Sequence, residues 1–257
     1  MKFVFDLDGT ICFKGQPISD RLVQCLEKLI EAGHEVIFAS ARPIRDMLPV
    51  IDEKFHNFCL IGGNGSLVTI DGANVQVNSF SDDQVQAVIG LIQEYQATYL
   101  IDSDWDYAYT GPSNHPILNN VDPMKLANSV TLETLKRIVK ILILSSTNME
   151  RMSEQLVSLD CVVHRHVNEN VLDVSPQNIH KWSALQKVGL KGKEFIVFGN
   201  DANDISMFKE VLHSVRIGNH TELEKYCTES IPLEGDYETS IICKIGQLSN
   251  VYRPKAI

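Results

Sequence analysis

The sequence contains no stretch approaching the roughly 20 consecutive apolar residues that a membrane-spanning helix requires, so a helical membrane protein is not expected. It also lacks clustered Lys and Arg. Acidic residues outnumber basic ones 33 to 23, for a formal charge of -10, whereas a nucleic-acid binder needs grouped cations to displace counterions. That partner is not expected either. The six cysteines, Cys12, Cys25, Cys59, Cys161, Cys227 and Cys243, are scattered, with no CxxC pair and no metal-like spacing, and read as reduced thiols. The beginning, MKFVFDLDG, lacks the apolar stretch of a signal peptide, because two carboxylates arrive by residue 8; a cytoplasmic location is the expectation. Internal repeats, heptads and low-complexity tracts are absent. So is a G-x-G-x-x-G fingerprint: Gly62-Gly63-Asn64-Gly65 has neither the spacing nor a following helical pattern.

What is present is an alternation of buried-looking strands and amphipathic helices. Phe3-Val4-Phe5 is a short apolar run stopped by Asp6-Leu7-Asp8-Gly9-Thr10. Ser19 can cap a helix whose stripe is Leu22, Val23, Leu26, Leu29 and Ile30, with Gly33 as its stop. A second apolar strand, Val36–Ala39, ends in Ser40-Ala41-Arg42-Pro43, and a helix is expected over roughly 44–54. Strand, helix, strand, helix predicts a parallel sheet covered on both faces, a Rossmann-like doubly wound α/β core. In such sheets the ligand crevice lies at the carboxyl ends of the strands, where both runs carry polar, reactive residues.

The middle of the chain has a different rhythm. A hairpin is expected around Asp71-Gly72, then a helix capped by Ser81. Strands near 98–102 and 106–110 follow, then a loose stretch, 111–130, read as a surface loop. An apolar run at Ile138–Leu144, a helix near 148–158 and strands near 161–167 and 171–174 complete this part. This pattern predicts an inserted α+β cap over residues 82–178 within a core formed by 1–81 and 179–257. The doubly wound rhythm resumes with a helix near 178–188 and a strand, Phe195–Phe198, running into Gly199-Asn200-Asp201-Ala202-Asn203-Asp204. A helix, a strand near 214–217 and another helix start follow.

Asp6 and Asp8 stand two apart at a strand end, where residues i and i+2 share a side. Two carboxylates facing one space call for a hard cation with oxygen ligands, and magnesium is the usual one; a turn or helix cap is the plain alternative. Ser40, Lys181 and the 200–204 cluster converge on the same edge. A carboxylate pair, a hydroxyl, a lysine and an acid/amide cluster form a set suited to phosphate.

These motifs resemble those of the haloacid-dehalogenase-like hydrolase superfamily, in its Cof-type branch with an inserted α/β cap. The matching residues are Asp6-Leu7-Asp8-Gly9-Thr10, Ser40-Ala41-Arg42, Lys181 and Gly199–Asp204, with Gly63-Asn64-Gly65 and Gly218-Asn219 also fitting. The resemblance implies a magnesium-dependent phosphatase of small phosphate esters, such as sugar phosphates or phosphorylated cofactors. It implies Asp6 as nucleophile forming an aspartyl-phosphate, and Asp8 as general acid and later base. Asp6 and the Asp8 carbonyl would hold Mg2+; Thr10 and Ser40 would contact phosphate; Lys181 would offset charge; Asn203 and Asp204 would complete the shell. Ala41, Arg42 and Asn64 join the phosphate- and substrate-binding set. Three positions depart from the family pattern: Asn200 where an aspartate is usual, Trp182 where a glycine follows the lysine, and Ala41 for glycine. Either Asn200 ligates through its carbonyl oxygen or Asp201 and Asp204 carry more of the charge. The favoured choice is Asn200 as ligand with Asp204 outside it.

His164 and His166 alternate on a cap strand, as substrate contacts or as a half-solvated sheet face, and Trp105 and Tyr107 read as packing or as ring-stacking residues. The competing functions are a phosphotransferase or mutase, a signalling receiver, and a phosphate-ligand binding protein whose catalysis is weakened through Asn200. A monomer or homodimer acting on a small phosphorylated metabolite is expected.

Overall fold

The computed structural model describes residues 1–166 and 170–253. Its larger sheet has eight strands: β1 (Lys2–Phe5), β2 (Glu35–Ala39), β3 (Cys59–Gly62), β4 (Leu67–Ile70), β5 (Ala73–Val77), β11 (Phe195–Gly199), β12 (His213–Ile217) and β13 (Glu229–Ile231). The spatial order is β13-β12-β11-β1-β2-β3-β4-β5, parallel from β13 to β3, with β4 and β5 added antiparallel. Alternate residues of the near-continuous apolar strands feed two different cores. Phe3, Phe5, Ile196 and Phe198 face one side, Val4, Phe195 and Val197 the other. That two-sided burial is why these strands read as unbroken hydrophobic runs. The first face is covered by α1 (Asp20–Glu31) and α8 (Tyr237–Val251), the second by α5 (Lys181–Lys187), α6 (Ile205–Phe208) and α7 (Thr221–Glu224).

Local signals are realised where they were strong. Ser19 caps α1 by accepting from the Leu22 amide at 3.3 Å, and Leu22, Leu26 and Leu29 are buried. Ser81 and Gln84 form a reciprocal capping box at the start of α3 (Asp82–Glu94). The helix expected over 44–54 is a correction: α2 is only Ile44–Met47. Pro49 lacks the N–H that would bond the Arg45 carbonyl, and its ring crowds that carbonyl. Strand β13 and the long helix α8 were not foreseen, although Ile241, Ile245 and Leu248 carry helical spacing and are buried.

The smaller sheet is antiparallel, in the order β7-β6-β8-β10-β9, from β6 (Thr98–Asp102), β7 (Tyr107–Tyr109), β8 (Lys140–Ser145), β9 (Val162–His166) and β10 (Val171–Ser175). Its outer face packs on α3 and α4 (Met149–Ser158) through Val88, Ile92, Met152 and Leu156. The other face presents two rungs set by register. One runs Tyr109, Leu100, Leu142, Asp173, His164; beside it Tyr107, Asp102 and Lys140 stand in register, as do Ser175 and Val162. In β6, β8 and β10 the lone charges, Asp102, Lys140 and Asp173, all stand on that face, whereas Arg165 of β9 is on the other and pairs with Glu150 of α4. The side chain of His166 lies outside what is described. Among the described residues, no helix is long and apolar enough to cross a membrane, and all six cysteines are free thiols.

Candidate active site

Asp6 follows β1 directly and stays pinned to the sheet, its amide donating to the Phe198 carbonyl at 3.0 Å. Its carboxylate is buried, 4% exposed, and both oxygens are engaged. Lys181 Nζ donates to Oδ1 at 2.6 Å, and Thr10 Oγ1 donates to Oδ2 at 2.8 Å. Thr10 reaches that position because residues 7–12 form a tight turn: the amides of Thr10, Ile11 and Cys12 all donate to the Leu7 carbonyl. Gly9 at φ +77° allows the close approach of Asn200, since a Cβ there would lie 2.1 Å from Asn200 Nδ2. A Gly9→Ala variant is therefore expected to push Asn200 aside and destabilise the protein by more than the ~1 kcal/mol of an unstrained Gly/Ala exchange, measured by denaturant unfolding; unchanged stability would contradict the tight fit.

Lys181 opens α5 fully buried and sits between two carboxylates, donating also to Asp204 Oδ1 at 2.7 Å. Asp204 Oδ2 in turn accepts from the amides of Asn200 (2.8 Å) and Asp201 (3.2 Å). Burial pushes the Asp6 carboxyl up to about 7; Lys181 pulls the other way, and Asp204 and then Asp8 add to the rise. The same two carboxylates hold the buried Lys181 ammonium above its ordinary range despite desolvation.

Asp8 points differently. Arg42 grips it in a bidentate pair, Nε to Oδ2 and Nη2 to Oδ1, both 2.7 Å, and the Asp8 side chain is 48% exposed. Arg42 also donates from its backbone to Ser40 Oγ at 3.1 Å. Ser40, 1% exposed, accepts from the Asn64 amide through its carbonyl. Asn64, in the left-handed region at φ +57°, donates to Asp173 Oδ2 (3.1 Å) and accepts from Asn203 Nδ2 (3.1 Å). Lys140 closes this chain from the smaller sheet: its Nζ lies 3.1 Å from Asp173 Oδ2 and donates to the Ala41 carbonyl at 2.6 Å.

Asp6, Thr10, Lys181, Asn200 and Asp204 thus form one cluster, with Asp8, Ser40, Ala41, Arg42, Asn64 and Asn203 around it. Asp201 turns elsewhere: its Oδ1 accepts from the Ala202 amide and lies 3.3 Å from His220 Nε2. Trp182 is packed against Phe195, ring centroids 5.5 Å apart and nearly parallel, so the departure next to the lysine serves the core. Tyr107 lies under the Arg45 guanidinium at 5.0 Å, and Trp105 donates to the Leu126 carbonyl. His164 lines a cleft with His180, whose imidazole is held below its ordinary range by burial and by nearby His164.

The oxygen set fits a hard cation. Thr10 Oγ1 lies 2.8 Å from Asp6 Oδ2 and 3.4 Å from Asn200 Oδ1, so both oxygens border the same hydroxyl. Among the described residues no three His, Cys, Asp or Glu side chains converge, so an ion here would rest on mixed carboxylate, amide and backbone oxygens.

Several partners were invisible to the sequence reading. Arg45, fully buried, is bound to Asp46 (2.9 Å), to Asp102 (2.6 Å) and to the Trp105 carbonyl. Lys140 and Asp173 were missed too, though each is the lone charge in an apolar strand, and that was the available signal. A cavity of about 350 Å³ opens beside Asp8 and Arg42, between the two sheets.

A family model described as haloacid dehalogenase-like hydrolase matches residues 3–232. The chain is 26% identical over 231 residues to an HMP-PP phosphatase of Serratia proteamaculans, covering 84% of this chain and 82% of that protein. Among solved structures, a haloacid dehalogenase-like hydrolase from Bacteroides thetaiotaomicron superposes with a TM-score of 0.77 at 20% identity, over 96% of this chain and 98% of the other. A subclass IIB sugar phosphatase superposes with a TM-score of 0.78 at 16% identity, over 97% and 99%.

Proposed function

We propose, because this chain belongs to the family of haloacid dehalogenase-like hydrolases, that it is a magnesium-dependent phosphatase of small phosphate esters working through an aspartyl-phosphate on Asp6. The observation that carries the reading is the buried Asp6 carboxylate gripped by Lys181 and Thr10, next to a half-exposed Asp8 that lines the mouth of a cavity. Residues 82–178 act as the cap over this site, with residues 1–81 and 179–257 as the core.

In the first step an Asp6 oxygen forms a bond to phosphorus as the ester P–O bond breaks, and Asp8 delivers its proton to the departing alkoxide. In the second, water attacks the acyl phosphate, Asp8 takes the water's proton, and the new P–O(Asp6) bond breaks; ester and water become alcohol and phosphate. Lys181 keeps the nucleophile oriented and offsets its charge, while the hydroxyls of Thr10 and Ser40 would donate to phosphate oxygens once an ester is bound. Magnesium, held by Asp6, the Asp8 carbonyl and Asn200, supplies charge neutralisation and alignment when bound. Asp204 sits outside it, orienting Lys181 and the 200–201 amides.

Turnover of a phosphate-ester panel with and without magnesium, reading free phosphate, tests the proposal; phosphate moved to another hydroxyl instead would identify a transferase. The metal has its own test. A neutral amide at position 200 makes a weaker ligand than a carboxylate, so Asn200→Asp is expected to tighten Mg2+ binding about tenfold or more by calorimetry. Protons and the cation compete for Asp6, whose carboxyl is raised to about 7. Apparent affinity in the wild type should then weaken progressively as the pH falls below that value. Metal binding that ignores both the substitution and the pH would remove Asn200 and Asp6 from the ligand set.

A further inference from the structure

His220 has no part in the chemistry derived above, yet its ring is engaged at both nitrogens. It follows β12 through Gly218 and Asn219 and caps α7, its Nδ1 accepting from the Leu223 amide at 3.2 Å. A ring that accepts at Nδ1 carries its proton on Nε2. That Nε2 lies 3.3 Å from Asp201 Oδ1. The His220 backbone is held as well: the buried Arg216 donates to its carbonyl at 3.0 Å, and Arg216 stands in register with Gly199 at the end of β11.

From Asp201 the contact reaches the catalytic cluster by a short relay. Asp201 caps the helical turn Ala202–Asp204, its Oδ1 accepting from the Ala202 amide at 2.7 Å. Asp204 Oδ2 accepts from the Asn200 and Asp201 amides, while its Oδ1 accepts from Lys181. Asn200 itself is weakly held. Among the described residues its amide oxygen meets Thr10 Oγ1 at 3.4 Å, long for a hydrogen bond. A neutral amide attracts a hard cation less than a carboxylate does, so its contribution depends on how firmly the adjoining backbone aims it.

We infer that His220 is a positioning residue for the magnesium site: its Nε2–H, acting through Asp201, fixes the loop that aims Asn200 at the cation. The inference rests on the ligand set of the phosphatase reading, and metal binding tests it without turnover.

Two substitutions separate this role from the capping of α7. Asparagine keeps a short side-chain oxygen for the Leu223 amide but does not reach Asp201; glutamine keeps a nitrogen donor with the reach of Nε2 but gives up the short cap. In the full chain, His220→Asn should raise the Mg2+ Kd read by calorimetry about tenfold, the lower end of the cost of losing an outer partner of a metal site. The Mg2+ concentration for half-maximal turnover should rise with it, saturating Mg2+ should recover most of the rate, and the melting temperature should stay near that of the wild type. His220→Gln should do the reverse, keeping Mg2+ affinity while melting lower. In an Asp201→Ala background, His220→Asn should shift the Mg2+ Kd no further, because both changes break one contact. Unchanged or tighter Mg2+ binding in His220→Asn, or equal weakening in the asparagine and glutamine variants, would overturn the assignment. The expected shift in Kd without hydrolysis of any ester by the wild type would uphold the positioning role and overturn the phosphatase reading.

Discussion

Replacing Asp6 with asparagine is expected to lower turnover by roughly three orders of magnitude or more, the scale seen when an attacking group is removed from an active site, while the fold survives. The geometry makes both halves of this expectation specific. Asparagine keeps the shape of the side chain and leaves a carbonyl oxygen for Lys181, which in any case retains Asp204 at 2.7 Å. What disappears is the negative oxygen that must form the bond to phosphorus. Stability should hold and, at alkaline pH, improve. Burial raises the Asp6 carboxyl to about 7, above its unfolded value, so its contribution is fully favourable only at low pH and is lost as pH climbs through 7. The neutral variant does not incur that loss. Phosphate release and thermal melts at pH 5.5 and 8.5 read both halves. Full activity in this variant would refute the nucleophile assignment, and a collapsed fold would refute the packing argument.

Lys181→Met should be the most damaging single change to stability. The ammonium is fully buried and separates two buried carboxylates, at 2.6 Å from Asp6 and 2.7 Å from Asp204. Removing it leaves like charges desolvated and facing each other, a loss on the order of 3–5 kcal/mol for a broken buried pair. The pH dependence carries the diagnosis. Without Lys181, the pull that lowers the Asp6 carboxyl is gone, so its folded value rises further above the unfolded one. The destabilisation should therefore be greatest at pH 8 and shrink as the Asp6 carboxyl protonates toward pH 5. Adding Asp204→Asn should restore part of the lost stability, because it removes one member of the repelling pair. A pH-independent loss, or no recovery in the double variant, would mean that the side chain matters for its packing rather than for its charge.

The parts of the site that could be read in advance share one property: each is a short stretch at a strand end. Asp6, Ser40 and Asn200 stand directly after β1, β2 and β11, which the register places side by side. An apolar run of four or five residues followed by reactive side chains suffices to put them on one edge. Asp8 shows the limit. Spacing of two predicted that it would share Asp6's side, but the chain turns at Leu7, and the Asp8 carboxylate leaves for Arg42, 34 residues on. The 44–54 helix failed for a local reason that was in plain view, the proline at 49. Lys140, Asp173 and Asp102 were legible only as anomalies, charges inside apolar strands, because the pairs Lys140–Asp173 and Arg45–Asp102 join residues far apart in the chain.

The sequence by itself determined the alternation of strands and helices around β1, β2 and β11, and which residues gather at their carboxyl ends, since periodicity and strand-end chemistry act over a few residues. Which carboxylate keeps Lys181, which is taken by Arg42, and what lines the cavity above them were decided only by tertiary structure. Those pairings join two sheets whose register, burial and approach no local pattern encodes, and a buried charge takes whichever opposite partner the completed packing brings within about 3 Å.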